Sequence, residues 1–211
     1  MAKFKSSTFG EISGKHGDVV AVTMKDGTCY FRAYIIPPNP NTAKQQSQRG
    51  VFGFVVKELN CMRKLFTVTF GGQYGINHAV SLAMKTCVSG QFPEFKIDYS
   101  RLQLSKGSIQ LPLTVNISRL KQDSFMLEWS YAELLDKQYD DNLSIVLLNT
   151  TNKEMLYNQN IALRTDRKVE FCLPEHWLKS EIHAWLYFSS SNNNSFSDSK
   201  YLGIITVKHL L

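Results

Sequence analysis

Past Phe92 the chain carries no helical period and becomes a succession of short apolar runs separated by turn residues. The runs FMLEW (125–129) and VEFCL (169–173) alternate, LSIVLL (143–148) is almost continuously apolar, and IHAWLYF (182–188) and Tyr201 to Val207 complete the set. A period of two sends successive side chains to opposite faces of a sheet, and several such runs without intervening helices restrict the fold to antiparallel sheets packed on one another. The expectation is a β-sandwich of immunoglobulin or fibronectin type III character over residues 101–211. The polar stretch from Ser189 to Ser199 reads as the loop joining the last two strands.

The first hundred residues obey other periods. In DVVAVTMKDGTCYFRAYII (18–36) two β-rich runs flank Asp26-Gly27, a favoured pair for a two-residue type I′ hairpin. Pro37, Pro38 and Pro40 then stop the sheet, because proline has no ladder N–H to give. Thr42 and Gln45 match a capping box, so a helix is expected from about Ala43. Val51, Val55, Leu59, Met62 and Phe66 form one apolar stripe, the mark of an amphipathic helix of about 24 residues. Gly71-Gly72 breaks it, and Ile76, Val80, Ala83 and Cys87 mark a second helix ending near Gly90. The sequence thus reads as α+β: a hairpin with two helices over residues 1–100, then the sandwich.

Charge separates the same two parts. Residues 1–100 hold 12 Lys and Arg against 6 Asp and Glu, whereas residues 101–211 hold 12 of each, so the net +6 lies in the first part. A basic half meets acidic partners, such as nucleic acid or a negative protein surface, when it meets anything. No stretch approaches the roughly 18 apolar residues needed to span a bilayer, and the N-terminus lacks the apolar run of a secretory signal. A cytoplasmic protein with no membrane partner is expected. The four cysteines, Cys29, Cys61, Cys87 and Cys172, are scattered and read as reduced thiols, mostly buried.

Catalytic signatures do not emerge. Gly10 to Gly17 has three residues rather than four between its first glycines and His16 after Lys15, so it is no phosphate loop. His16, His78, His176 and His183 are isolated, Asp140-Asp141 reads as a turn, and no cysteine or serine sits in a motif that supplies a base. No cofactor, metal or enzymatic activity is expected. Two interaction candidates stand instead. Lys44, Gln45, Gln48 and Arg49 form a basic, glutamine-rich helix entrance, accompanied by Lys3, Lys5, Lys15, Lys25 and Arg32 on the preceding strands. In the strand 182–188, alternation turns Ile182, Ala184, Leu186 and Phe188 inward and sets His183, Trp185 and Tyr187 outward, where aromatics anchor partners or pack beneath a neighbouring layer.

The segments EISGKHGDVV (11–20), PPNPNTAKQQSQRGVFGFVVKEL (37–59), QFPEFKIDYSRLQLSKGSI (91–109) and SDSKYLG (197–203) resemble a family of Bacteroidetes proteins known as a domain of unknown function, over essentially the whole chain. NPNTAKQQSQR (39–49) is also similar to a segment of small phage and prophage proteins. The first family carries no activity, cofactor or catalytic residue to transfer; the phage-like segment implies a structural or assembly role, virion-associated if the chain is phage-derived. With no catalytic signature, the expectation is a non-catalytic binding or assembly protein acting on a protein partner or on copies of itself. The alternative is a nucleic-acid-associated protein working through its basic half.

Overall fold

The computed structural model describes residues 3–4, 13–36, 38–72, 74–121, 123–131, 140–178 and 180–206. Its contacts divide the chain into two compact units, Met1–Thr42 and Ala43–Leu211. Lys5, Gly10, Pro37 and Val207 lie outside the described residues.

In the first unit β1 (Lys3–Phe4), β2 (Gly14–His16), β3 (Val19–Thr23) and β4 (Cys29–Ala33) form an antiparallel sheet in the order β1-β4-β3-β2. The expected hairpin is β3–β4, but its turn is not the two-residue type. Met24 N–H donates to the Thr28 carbonyl at 2.9 Å and Gly27 N–H to the Met24 carbonyl at 3.0 Å, which closes a three-residue loop. Within that loop Gly27 takes φ +75° and Asp26 keeps a negative φ. One left-handed residue, placed on the glycine, costs less than the two a type I′ turn requires.

The second unit begins with helices. α1 (Ala43–Leu59) runs into a 3₁₀ turn at Asn60–Met62, then α2 (Arg63–Thr69). The expected long helix is therefore two helices joined by a tight turn. The apolar stripe survives because its one step of three, Leu59 to Met62, falls on the turn, where residues three apart eclipse. Val55, Leu59, Met62 and Phe66 are all fully buried. Gly71 and Gly72 take φ +82° and +65° and end this arm. α3 (Gly75–Thr86) then buries Ile76, Val80 and Ala83, with Cys87 just beyond its end, as their spacing requires.

A short hairpin, β5 (Val88–Gln91) with β6 (Glu94–Ile97), leads into a linker and the sandwich. One sheet holds β7 (Thr114–Arg119), β8 (Ser124–Ser130) and β11 (Lys168–Cys172) in the order β11-β8-β7. The other holds β9 (Asn142–Asn149), β10 (Glu154–Leu163), β12 (Glu181–Ser189) and β13 (Lys200–Thr206) in the order β10-β9-β12-β13. All neighbouring pairs are antiparallel. Phe125, Leu127 and Phe171 of the first sheet pack on Leu143, Ile145, Leu147, Ile182, Leu186 and Phe188 of the second. That is the sandwich core.

The opposite face of the four-stranded sheet is covered as well. Val146, Leu148, Trp185 and Tyr187 share one core with Val55, Leu59, Leu65 and Phe66 of the helices. Of the two roles expected of Trp185 and Tyr187, the structure shows packing beneath a neighbouring layer and not exposure as partner anchors: both are fully buried beneath the helices. Every residue of β12 from Ile182 to Ser189 is buried, as expected of a strand sandwiched on both faces.

The expected division near residue 100 accordingly does not match the contacts, because residues on both sides of it build one core. The linker sews the parts together. Thr69 donates its hydroxyl to the Leu104 carbonyl at 2.6 Å, Leu104 N–H donates to Ser199 Oγ at 2.8 Å, and Ser105 Oγ donates to the Ser197 carbonyl at 2.9 Å. At Gly107 an added Cβ would stand 2.0 Å from the Phe196 carbonyl oxygen, so glycine is what lets the linker lie this close.

A basic apolar groove on the helical layer

α1 presents Lys44, Gln48 and Phe52 at successive steps of four, a spacing that aligns them on one face. Lys44, Gln45, Gln48 and Arg49 are all exposed, as the sequence implies. Gln48 is the one among them that lines a groove of about 740 Å³ between α1, α3 and the β5–β6 hairpin. Val51, Phe52, Val80, Met84, Val88 and Phe95 give the groove its apolar lining. Asn77, Ser81 and Lys85 add polar groups, and among the described residues no acidic one lines it. Val80 is buried and belongs to the core, while Phe52 is 53% exposed and leaves the groove open to solvent.

Local sequence builds this shape. At Gly50 an added Cβ would stand 2.9 Å from the Phe92 ring, so the glycine seats the hairpin tip against α1. Phe95 bridges the two, its ring centroid 6.2 Å from Phe92 and 6.0 Å from Phe54. Met84 adds an unbranched, adaptable side chain that accepts varied shapes. Phe52 and Met84 each lie one position beyond the apolar stripe of their helix. That widening of the stripe is the sequence signal for the groove, and only the core positions were read from it.

The charge of this layer is concentrated. Residues 43–97 hold seven Lys and Arg and two Glu, a net +5 of the chain's +6. One of the two, Glu58, is engaged internally: it accepts from the Tyr99 hydroxyl at 2.8 Å and pairs with Lys153. Burial, and then the Glu58 carboxylate, push the Tyr99 phenol far above its ordinary range.

Other polar groups are engaged with one another. His183 has the Tyr201 hydroxyl 2.7 Å from Nδ1 and the Glu181 carboxylate 3.3 Å from Nε2, and its ring lies against Tyr99 at 4.7 Å. Both nitrogens are engaged in a side chain that is 9% exposed, an arrangement that ties Tyr99 to β12 and β13. His176 Nε2 lies 3.0 Å from Glu154, which also accepts from the Trp177 indole N–H at 2.7 Å. Asp141 is not a solvated turn residue: it is buried and pairs with Arg164 at 3.0 Å. The Trp185 indole N–H is buried without a partner. Cys29 and Cys87 are buried thiols, Cys61 is half-buried and Cys172 is exposed. Among the described residues no group of three His, Cys, Asp or Glu is placed to hold a metal, and no helix is long and apolar enough to cross a membrane.

His183 gives a pH dependence whose sign follows from its surroundings. Burial lowers its pKa below the ordinary 6.5, against the opposing pull of Glu181 and Asp98. The unfolded chain therefore takes up this proton first, and the stability tied to neutral His183 is complete above about pH 6.5 and declines as pH falls through that value. Urea unfolding midpoints should drop between about pH 7.5 and about pH 5.5, and drop less in His183→Gln. Equal slopes in both proteins would contradict this assignment.

A model of a family of unknown function, DUF6266, matches residues 11–203. The chain belongs to this family. The DUF6266 match takes in α1, the groove and both sandwich sheets as far as Gly203 in β13. A solved structure described as "Myokine structure" is similar at 15% identity, over 48% of this chain and all of that one, with a TM-score of 0.37. The comparison with curated proteins finds no match.

Proposed function

We propose that this DUF6266 protein is a non-catalytic binding or assembly component that engages a protein partner through the outer face of its helical layer. One observation carries the reading: the apolar groove and most of the net charge occupy the same layer. The polar clusters elsewhere, at Arg164–Asp141 and around His183, are turned inward and tie elements together. A groove of this volume lies within the range of binding sites, and an apolar floor with a few polar groups is how such sites are built.

The scaffold fits the role. Among the described residues the sandwich has seven strands in sheets of three and four, and β10 beside β9 rather than beside β11 supports a fibronectin type III kind of sandwich over the constant immunoglobulin arrangement. The resemblance of residues 39–49 to phage and prophage segments favours assembly, with a virion as its setting. Nucleic acid is the second reading, favoured by the net +5 of residues 43–97.

A photo-crosslinking residue at position 52 in the full chain should yield a discrete protein adduct in cells. The same residue at Leu113, 66% exposed on the sandwich side, should not. Equal labelling from both positions would contradict binding through the helical face. Titration of duplex and single-stranded DNA and RNA at two salt concentrations tests the second reading. Tight binding that falls steeply with salt and is lost in Lys44→Glu with Arg49→Glu would establish nucleic acid instead.

A further inference from the structure

The groove is open along Phe52 and carries Lys85 but no acidic side chain, and its approach along α1 is marked by Lys44 and Arg49. We infer that its occupant is an acidic amphipathic helix of a partner protein, with apolar side chains in the groove and carboxylates over these cations. The inference rests on the binding role proposed above and specifies its ligand.

Three observations converge on this chemistry. The first is charge complementarity, since the layer around the groove is basic by five charges and its lining contributes cation only. The second is the placement of the cations on α1. Its first turn has no acidic residue and carries Lys44 at its second position instead. A cation at a helix N-terminus opposes the helix dipole, so Lys44 weakens the helix that holds it. A carboxylate from a partner would answer both charges at once, the dipole and the lysine. The third is shape. A small apolar ligand is normally enclosed over most of its surface, whereas this groove has one wall half exposed at Phe52. An open apolar trough between two helices takes a third helix, which inserts side chains spaced three and four residues apart and keeps its other face in water. Nucleic acid would use the cations and leave Phe52, Val51 and Met84 unsatisfied.

The test uses the full chain and fluorescence anisotropy of a labelled synthetic peptide with leucine at positions i, i+3, i+4 and i+7 and glutamate elsewhere. Its controls are the same peptide with lysine for glutamate, a single-stranded DNA oligomer and dodecanoate. The acidic peptide should bind, weaken with added salt, and lose at least about tenfold in affinity in Phe52→Asp and in Lys85→Glu, and the lysine peptide should not bind. Phe52 and Lys85 are exposed, and an unchanged thermal melt verifies that the variants fold. Acidic-peptide binding that neither substitution alters would overturn the groove as its site. Competition by dodecanoate but not by unlabelled peptide would overturn the helix as occupant. Failure of the acidic peptide beside a position-52 crosslink in cells would overturn this inference and leave the binding role standing. Failure of that crosslink as well would remove both. DNA binding insensitive to Phe52→Asp would replace both with the nucleic-acid reading.

Discussion

Trp185→Ala lowers the stability of the chain by about 3–5 kcal/mol, the cost of emptying a large aromatic site in a packed core. Trp185 is fully buried, with the Tyr201 ring at 5.3 Å and His183 at 5.9 Å, and it shares a cluster with Leu59 and Phe66 from the helices. Trp185→Phe should cost much less. It keeps most of the ring contact and removes an indole N–H that has no partner, and a buried unpaired donor is itself unfavourable. Serine at both Trp185 and Tyr187 should be at least as damaging as Leu186→Ala, which empties the opposite face at about 2–5 kcal/mol. Urea midpoints with unchanged slopes give the comparison. A double serine variant as stable as the parent would mean that Trp185 and Tyr187 face solvent.

Arg164→Ala has a cost of similar size for a different reason. The guanidinium donates to Asp141 Oδ2 from Nε at 3.2 Å and from Nη2 at 3.0 Å, and Nη2 also donates to the Gln110 carbonyl at 2.8 Å. It lies over the Phe188 ring at 3.9 Å, and its backbone carbonyl accepts from the Trp129 indole N–H at 2.8 Å. Burial pushes the Asp141 carboxyl up and the Arg164 guanidinium down, so each charge depends on the other being there. Removing one partner strands the other in the interior, at about 3–5 kcal/mol. Arg164→Met with Asp141→Leu should recover most of that loss, because an apolar pair of similar volume needs no compensation. A single substitution no worse than the double would show that the pair is hydrated.

These residues also show where sequence reasoning reached and where it stopped. The stripe from Val55 to Phe66 was legible because a helix that buries one face must repeat its apolar residues, and all of its core members are buried. The strands at FMLEW and VEFCL were legible because they have one buried face each. IHAWLYF was read only in part by the same rule, which set Trp185 and Tyr187 opposite the sandwich core but left open whether a partner or a neighbouring layer covers them. Alternation assumes a solvated face, but the run is nearly all apolar, which is the pattern of a strand covered on both sides. Recognising that pattern in IHAWLYF and LSIVLL would have demanded a third layer, and the two amphipathic helices were the only elements able to supply it. Asp141 was taken for a turn because its partner Arg164 is 23 residues away, and a single sequence carries no sign of such pairings. The strands 114–119 and 154–163 were passed over, since half-buried positions interrupted by polar residues leave little pattern. Of the interaction surface, Lys44 and Gln48 were found as charge and polarity at a helix entrance. Phe52, Met84 and Lys85 were not, because the groove exists only where α1, α3 and the β5–β6 hairpin meet.

The functional reading depends on the basic helices being a permanent layer of the sandwich rather than a domain of their own. Thermal unfolding of two fragments tests this directly. Residues 43–211 should melt in one cooperative transition, because they contain the whole of both hydrophobic clusters. Residues 101–211 should show none, because Val146, Leu148, Trp185 and Tyr187 would lose the cover of α1 and α2. A cooperative melt of 101–211 at the temperature of the longer fragment would contradict the account, and would return the helices to a separate domain.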